Sequence, residues 1–270
     1  MDLNLQGRVA VVTGGGSGIG RAAAALFAAE GADVAIWDID AQAAERAAME
    51  LANAAGVRAF GFEVDVADER SVREAVERTA EAMGPIDHLI HAAAIGSGKF
   101  GFPFTNLVPA DWRRVLEVNV LGMVHVAHAV AAEMSARGSG TLVFLASVAG
   151  QVGSQTDPPY SASKAANINF AQCLAKDLAS RGVRVNTVCP GMVQTPLNRR
   201  VWQAWHDAAP EADRLPYEEW ADRKIHAVVP LGRWQTPEAI ADMIVFLSSD
   251  RAAHVTGQTI NVDGGFVMHW

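Results

Sequence analysis

Two cysteines, Cys173 and Cys189, are all that the 270 residues contain. That is too few for a disulfide framework or a zinc site, and both are expected as buried, reduced thiols. No run approaches the ~18 apolar residues of a membrane-crossing helix, and the N-terminus carries Asp2 with no apolar signal-like stretch. The expectation is a cytoplasmic chain without a membrane partner. Basic residues are scattered rather than clustered and the formal net charge is −8, which argues against nucleic acid. A chain of this length can bury roughly three-quarters of its unfolded surface, so one large domain is the default.

What is present is a rhythm. Residues 8–12 form a short β-branched run that ends at T-G-G-G-S-G-I-G, and an alanine-rich helical stretch follows from Arg21 to Glu30. Strand, glycine loop and helix are the context of a phosphate-binding turn. Gly14, Gly18 and Gly20 follow G-x-x-x-G-x-G; glycine lets the backbone approach a pyrophosphate while the helix N-terminus offers N–H donors. A second strand, Asp33–Trp37, runs into Asp38, twenty residues after Gly18. A carboxylate there can accept the hydroxyls of an adenosine ribose and would repel a 2′-phosphate. Ser17 stands where an arginine could have met that phosphate, and the next basic residue is Arg46. NAD is therefore expected over NADP.

Further strands are expected at Arg58–Val64, Ile86–Ala93, Thr141–Leu145, Val183–Val188 and Gln258–Val262, with helices between them, including a long one around Asp111–Arg137. This alternation predicts an α/β fold: a single-domain, Rossmann-type, doubly wound parallel sheet with helices on both faces. Ligands of such sheets bind beyond the carboxyl ends of the strands.

The stretch Ser147–Lys164 carries the chemistry. Pro158 and Pro159 fit only the first turn of a helix, with Asp157 as N-cap, so Tyr160 and Lys164 share one helix face. An ammonium and a helix N-terminus both favour a phenolate, which makes Tyr160 a candidate general base with a pKa below that of free tyrosine. Ser147, just past a strand, can bring a hydroxyl beside the phenol. Gln151, Ser154, Gln155 and Thr156 give the adjoining loop hydrogen-bonding groups.

From Pro196 to Trp234 the chain loses clear periodicity. It holds Trp202, Trp205, Tyr217 and Trp220, with six basic and six acidic residues between Leu197 and Arg233. An excursion of this kind reads as a mobile substrate lid over about 196–234, or as a pair of surface helices whose tryptophans fill a local core. His125 and His128, at i,i+3, lack an acidic or cysteine partner; they read as packing or subunit contacts, and no metal is expected.

Together these residues resemble the classical short-chain dehydrogenases/reductases over essentially the whole chain. The resemblance rests on the glycine loop, Asp65–Val66, E-V-N-V around Asn119, Ser147, Y-S-A-S-K, and C-P-G-M-V-Q-T-P from Cys189. It implies that Ser147 hydrogen-bonds the substrate oxygen and Tyr160 exchanges its proton. Lys164 would lower the tyrosine pKa and hold the nicotinamide ribose, and Asn119 would anchor a water. Asp65 and Val66 would line the adenine, and Thr195 would meet the carboxamide. Ser17, Ile19, Ala93, Pro190, Gly191 and Val193 would complete the cofactor contacts. Homodimers or homotetramers are implied as well, built on the helix from Pro158, with its small face of Ala162, Ala165 and Ala166, and the helix around Asn119. One departure is His91-Ala92-Ala93-Ala94, where the family ordinarily has N-N-A-G.

The leading expectation is an NAD-dependent enzyme interconverting a secondary alcohol and a ketone, with a polyol, sugar or other hydroxy compound as substrate. A 3-oxoacyl thioester reductase is an alternative, disfavoured by Asp38 and by the charge-balanced 196–234 region. A non-catalytic NAD-sensing protein is another, disfavoured by the intact Ser147, Tyr160, Lys164 and Asn119.

Overall fold

The computed structural model describes residues 2–268. Among the described residues seven strands are present: β1 (Val9–Thr13), β2 (Asp33–Asp38), β3 (Ala59–Glu63), β4 (His88–His91), β5 (Gly140–Leu145), β6 (Val183–Pro190) and β7 (Thr259–Val262). They form one parallel sheet in the order β3-β2-β1-β4-β5-β6-β7. The order reverses between β1 and β4, so the crevice beyond their carboxyl ends is where such a sheet takes its ligand.

The crossover helices are α1 (Gly18–Ala29), α2 (Ala41–Ala55), α3 (Glu69–Met83), α4 (Ala110–Leu116) with α5 (Gly122–Arg137), α6 (Pro158–Leu178) and α9 (Pro237–Ser248); α7 (Pro196–Ala208) and α8 (Tyr217–Val228) lie between β6 and α9. Side chains alternate across a strand, and β1 shows the result. Ala10 and Val12 join Phe27, Ile36, Ile240 and Ile244 in one core, while Val9 and Val11 join Trp37, Met123, Val126 and Phe144 in the other. Aspartate or threonine side chains cap the N-termini of five helices: Asp40, Asp68, Asp157, Thr195 and Thr236.

Where the structure departs from expectation the causes are local. The third strand starts at Ala59 because Asp33 takes Arg58 by both its N–H and its guanidinium. The long helix is interrupted by a π turn over Glu117–Leu121. Contrary to the expectation from composition, the helical stretch Ala110–Arg137 is long and apolar enough to cross a membrane. Met123, Val126, Ala127, Val130 and Met134 are nevertheless buried in the second core, which makes α5 a core helix. Cys189 is buried as expected, whereas Cys173 is exposed on the outer face of α6.

The stretch Pro196–Trp234 is not aperiodic. Its two helices meet through Trp202 against Tyr217 (5.7 Å between ring centres) and Trp205 against Trp220 (6.1 Å). A second small cluster of Met192, Ile225 and Val229, with Trp234, joins the pair to the end of β6. The tryptophans thus build the local core that was the alternative to an unstructured loop.

Candidate active site

The crevice begins at Thr13, the last residue of β1, in register with Trp37 on one side and His91 on the other. Its hydroxyl oxygen accepts from Ala92 N and Ala93 N, both at 3.1 Å. With both lone pairs engaged, the hydroxyl proton goes to His91 Nδ1 at 3.0 Å. His91 then carries its own proton on Nε2, which is buried and has no partner. The histidine therefore keeps one half of the polar network at this position and abandons the other. Burial, and the charge of Lys164 nearby, push its pKa down to about 3. The same holds at the foot of β4, where burial lowers His88 to about 4.

Both imidazoles are thus neutral in the folded chain and readily protonated in the unfolded one. Their contribution is fully present above the unfolded pKa of about 6.5 and is lost as pH falls toward the folded values. We expect urea stability to decline between pH 6.5 and 4 by up to about 3 kcal/mol for each histidine. His91→Asn should flatten that decline; an unchanged pH dependence in the variant would refute this account.

Above Thr13 the glycine loop forms a cradle. Gly14 has φ +64°, and a Cβ there would lie 2.9 Å from Ala93 Cα. A Cβ on Gly20 would run into the Gly14 carbonyl. Ser17, extended and exposed, makes no side-chain cap, so the first N–H groups of α1 are left for an anion. Ile19 packs against the first core. Asp38 Oδ2 accepts from Gly16 N at 2.9 Å, which fixes its carboxylate at the rim of the loop. Gly18 lies under Thr195, whose Cγ2 would be 3.7 Å from an added Cβ. A cradle with no room for a side chain at Gly14 or Gly20, an uncapped helix start and a half-buried carboxylate at the end of β2 fit a dinucleotide.

Farther along, Asp65 is held by Ala67 N (2.9 Å) and Arg114 (3.2 Å). Val66 is pinned by His125, whose Nδ1 donates to its carbonyl at 2.9 Å, and by Gly122, where a Cβ would meet Val66 Cγ2 at 2.8 Å. His125 thus clamps the loop expected at the adenine, a role its helical spacing did not reveal. His128 is exposed. Among the described residues no cluster fit for a metal ion occurs.

Asn119 sits in the π turn, fully buried, with its amide group entirely engaged: Oδ1 accepts from Ile95 N, and Nδ2 donates to Ile95 O and Ser163 Oγ, each at 2.9 Å. Its side chain ties the segment after β4 to α6, so the water expected at Asn119 would have to be held by its main chain. π turns occur frequently at such functional points.

Ser147, beyond β5, accepts from Ala149 N at 3.1 Å, and its hydroxyl is near enough to the phenol of Tyr160 to favour the phenolate. Asp157 caps α6 and also accepts from Ser97 N at 2.8 Å. One turn on, Lys164 is 1% exposed; its Nζ donates to Leu145 O at 2.6 Å and lies 5.5 Å from the centre of the Tyr160 ring. The three groups expected to react are thus brought together. The phenol, however, is pushed up to about 12 rather than lowered: burial outweighs the Ser147 hydrogen bond, and Asp157 adds to the rise. Lys164 does not offset this, because its ammonium faces the ring and the Leu145 carbonyl. Its own pKa falls to about 8, again through burial.

The far wall is less as expected. Pro190 ends β6, and Gly191 leaves no room for a side chain, since a Cβ would sit 2.7 Å from Asp263 Cβ. Val193 is buried in the first core, so only its main chain is available to a cofactor. Gln151 is taken up by Asn261 at 2.7 and 2.9 Å. Of the four polar loop residues named from sequence, Thr156 alone lines the two cavities of about 380 and 300 Å³ beside α7 and α8.

Comparison with known proteins accords with this geometry. The sequence profile described as enoyl-(acyl carrier protein) reductase matches residues 14–267. The chain is 40% identical to a short-chain dehydrogenase of Aspergillus ruber, over 96% of each chain. It is 34% identical to a 3-oxoacyl-[acyl-carrier-protein] reductase of Thermotoga maritima, over 98% of this chain and 100% of that one. The solved L-sorbose reductase of Gluconobacter frateurii, complexed with NADPH and L-sorbose, superposes with a TM-score of 0.89 over 100% of both chains at 30% identity. The chain belongs to the short-chain dehydrogenase/reductase family. It is an oxidoreductase of hydroxy and keto compounds that uses a nicotinamide cofactor.

Proposed function

We propose that this chain is an NAD-dependent dehydrogenase interconverting a secondary alcohol and a ketone, acting on a polar hydroxy compound. The observation that carries the reading is the meeting of Ser147, Tyr160 and Lys164 at the carboxyl end of β5, beside the glycine cradle. When bound, the nicotinamide accepts the hydride in oxidation and supplies it in reduction. The protein does the rest. The Ser147 hydroxyl orients the substrate oxygen, and the phenol oxygen of Tyr160 takes the alcohol proton or returns it to the ketone oxygen. Lys164 holds the nicotinamide ribose and, with its ammonium turned from Leu145 O toward the phenol oxygen, favours the phenolate, while Thr195 and the start of α7 close over the reacting carbon. A panel of secondary alcohols with NAD, followed by nicotinamide absorbance, tests the proposal; no turnover of any member would overturn it.

The Thermotoga relative favours a second reading, reduction of a 3-oxoacyl thioester. NADPH-dependent reduction of acetoacetyl thioesters, with simple alcohols left untouched, would establish it in place of the first.

We further propose a homodimer or homotetramer in the cytoplasm. Both cysteines are free thiols, and Ala162 and Ala165 face outward on α6 rather than into the sheet. Light scattering is expected to show a dimer or tetramer at micromolar concentration, and a monomer would refute the assembly. The pair α7–α8 we read as a lid that closes as a preformed unit over substrate and cofactor. NAD with substrate should then protect Pro196–Trp234 from proteolysis and shift tryptophan emission, with smaller changes for NAD alone. Equal protease resistance in the free protein would mean a fixed cap.

A further inference from the structure

The larger cavity, about 380 Å³, lies between α8 and the loop that leads into α6. Its walls are Phe100, Trp205 and Trp220, with Thr156, Arg223 and Lys224 supplying the polar groups. The adjoining cavity of about 300 Å³ shares Thr156 and adds Lys99 and Arg200. Around the two, four cations face a single carboxylate, Asp157, in a chain whose net charge is −8. The local sign is the reverse of the molecule's.

Two of the four cations are already neutralised. Lys99 pairs with Asp111 at 2.8 Å, and Arg223 with Glu219 at 2.5 Å. Lys224 is different. Its ammonium rests 4.7 Å from the centre of the Trp220 ring, it is half-buried, and no carboxylate pairs with it among the described residues. Burial alone lowers its pKa. A desolvated ammonium against an indole face, without a counter-ion, is costly unless a ligand supplies the anion. Thr156 lines both cavities and Asp157 the smaller one, and Asp157 Oδ1 accepts from Tyr160 N at 3.5 Å, so the cavities adjoin the start of the helix that carries Tyr160.

We propose that this cavity is an anion subsite of the substrate pocket, with Lys224 binding a carboxylate carried by the alcohol. The substrate is then a hydroxy acid whose carbinol carbon and acid group are separated by an apolar body that lies on Trp205 and Trp220. A monoanion fits better than a phosphate. Only one unpaired cation lines this cavity, the walls are aromatic, and Arg223 is held by Glu219 and cannot complete a bidentate fork. This inference rests on the alcohol dehydrogenase reading for the name of the substrate, though not for the test.

The test is binding to the NAD-saturated protein, read by tryptophan emission, of cyclohexanecarboxylate, cyclohexylacetate and 4-phenylbutyrate, each against its neutral amide. Acids are expected to bind at least about tenfold more tightly than their amides. Lys224→Gln should erase that preference with NAD affinity unchanged, and Lys224→Arg should keep most of it. Equal binding of acid and amide, binding of neither, or a preference that survives in Lys224→Gln overturns the proposal. The same comparison with phosphonate probes decides between anion classes: a phosphonate preferred over the carboxylate also overturns it. No turnover is needed, so a protein that oxidises no alcohol would fail the dehydrogenase reading while leaving this measurement interpretable.

Discussion

Tyr160→Phe should lower turnover by about 10³-fold, the scale of a lost general acid–base group, while NAD affinity stays within about threefold of the unmodified protein. The phenol oxygen is the only part of the side chain removed, and it is the atom that Ser147 addresses. Substantial residual activity would mean that another group moves the proton. Because burial pushes the phenol up to about 12, its phenolate is scarce at neutral pH. Alcohol oxidation needs that phenolate, so the oxidative rate should climb with pH. Any lowering of the phenol pKa in the working enzyme has to come from Lys164, through reorientation of an ammonium now bound to Leu145 O. Lys164→Met should displace the climb to higher pH; an unmoved profile would remove the lysine from this role.

NAD should outperform NADP in kcat/KM by about 10–100-fold, the range set by a hydrogen bond to a charged group. Asp38 is already fixed by Gly16 N, and the two residues after it, Ile39 and Asp40, are exposed and carry no positive charge. Arg21 on α1 is tied to Glu50 at 2.8 Å. A 2′-phosphate would therefore meet the Asp38 carboxylate, with Arg21 already paired. Asp38→Ala should narrow the gap, and equal rates with both cofactors in the unmodified protein would sink the idea. The comparison has weight because the solved L-sorbose reductase carries NADPH on a similar frame.

The sheet was legible because β1, β2, β5 and β6 are almost wholly buried and read as near-continuous apolar runs, separated by helices most of which have aspartate or proline at their starts. The glycine cradle, Asp38, Ser147, Tyr160 and Lys164 were legible because each requires one residue type at one place. Other features depended on what lies across from a residue. Trp202 and Trp220 pack on partners in another helix, and the dense charges of both helices masked their period. His125 is a clamp only because Val66 comes to lie beside it. The phenol shift depends on the direction of the Lys164 ammonium, and i,i+4 spacing sets proximity but not aim. Gln151 looked available until Asn261, on the far side of the chain, was seen to hold both ends of its amide.

The small clusters that build the α7–α8 pair share no residue from 197 to 234 with either of the two large cores of the sheet. Its aromatics pack on one another, and it joins the rest near Met192 and Trp234. Substitutions here therefore leave the sheet's stability and the cradle's geometry nearly untouched. The pair is built as an interchangeable fitting on a fixed machine: the residues proposed to move a proton and a hydride stay in place, while the part proposed to choose the molecule could be exchanged at the bench for another pair of helices of matching ends.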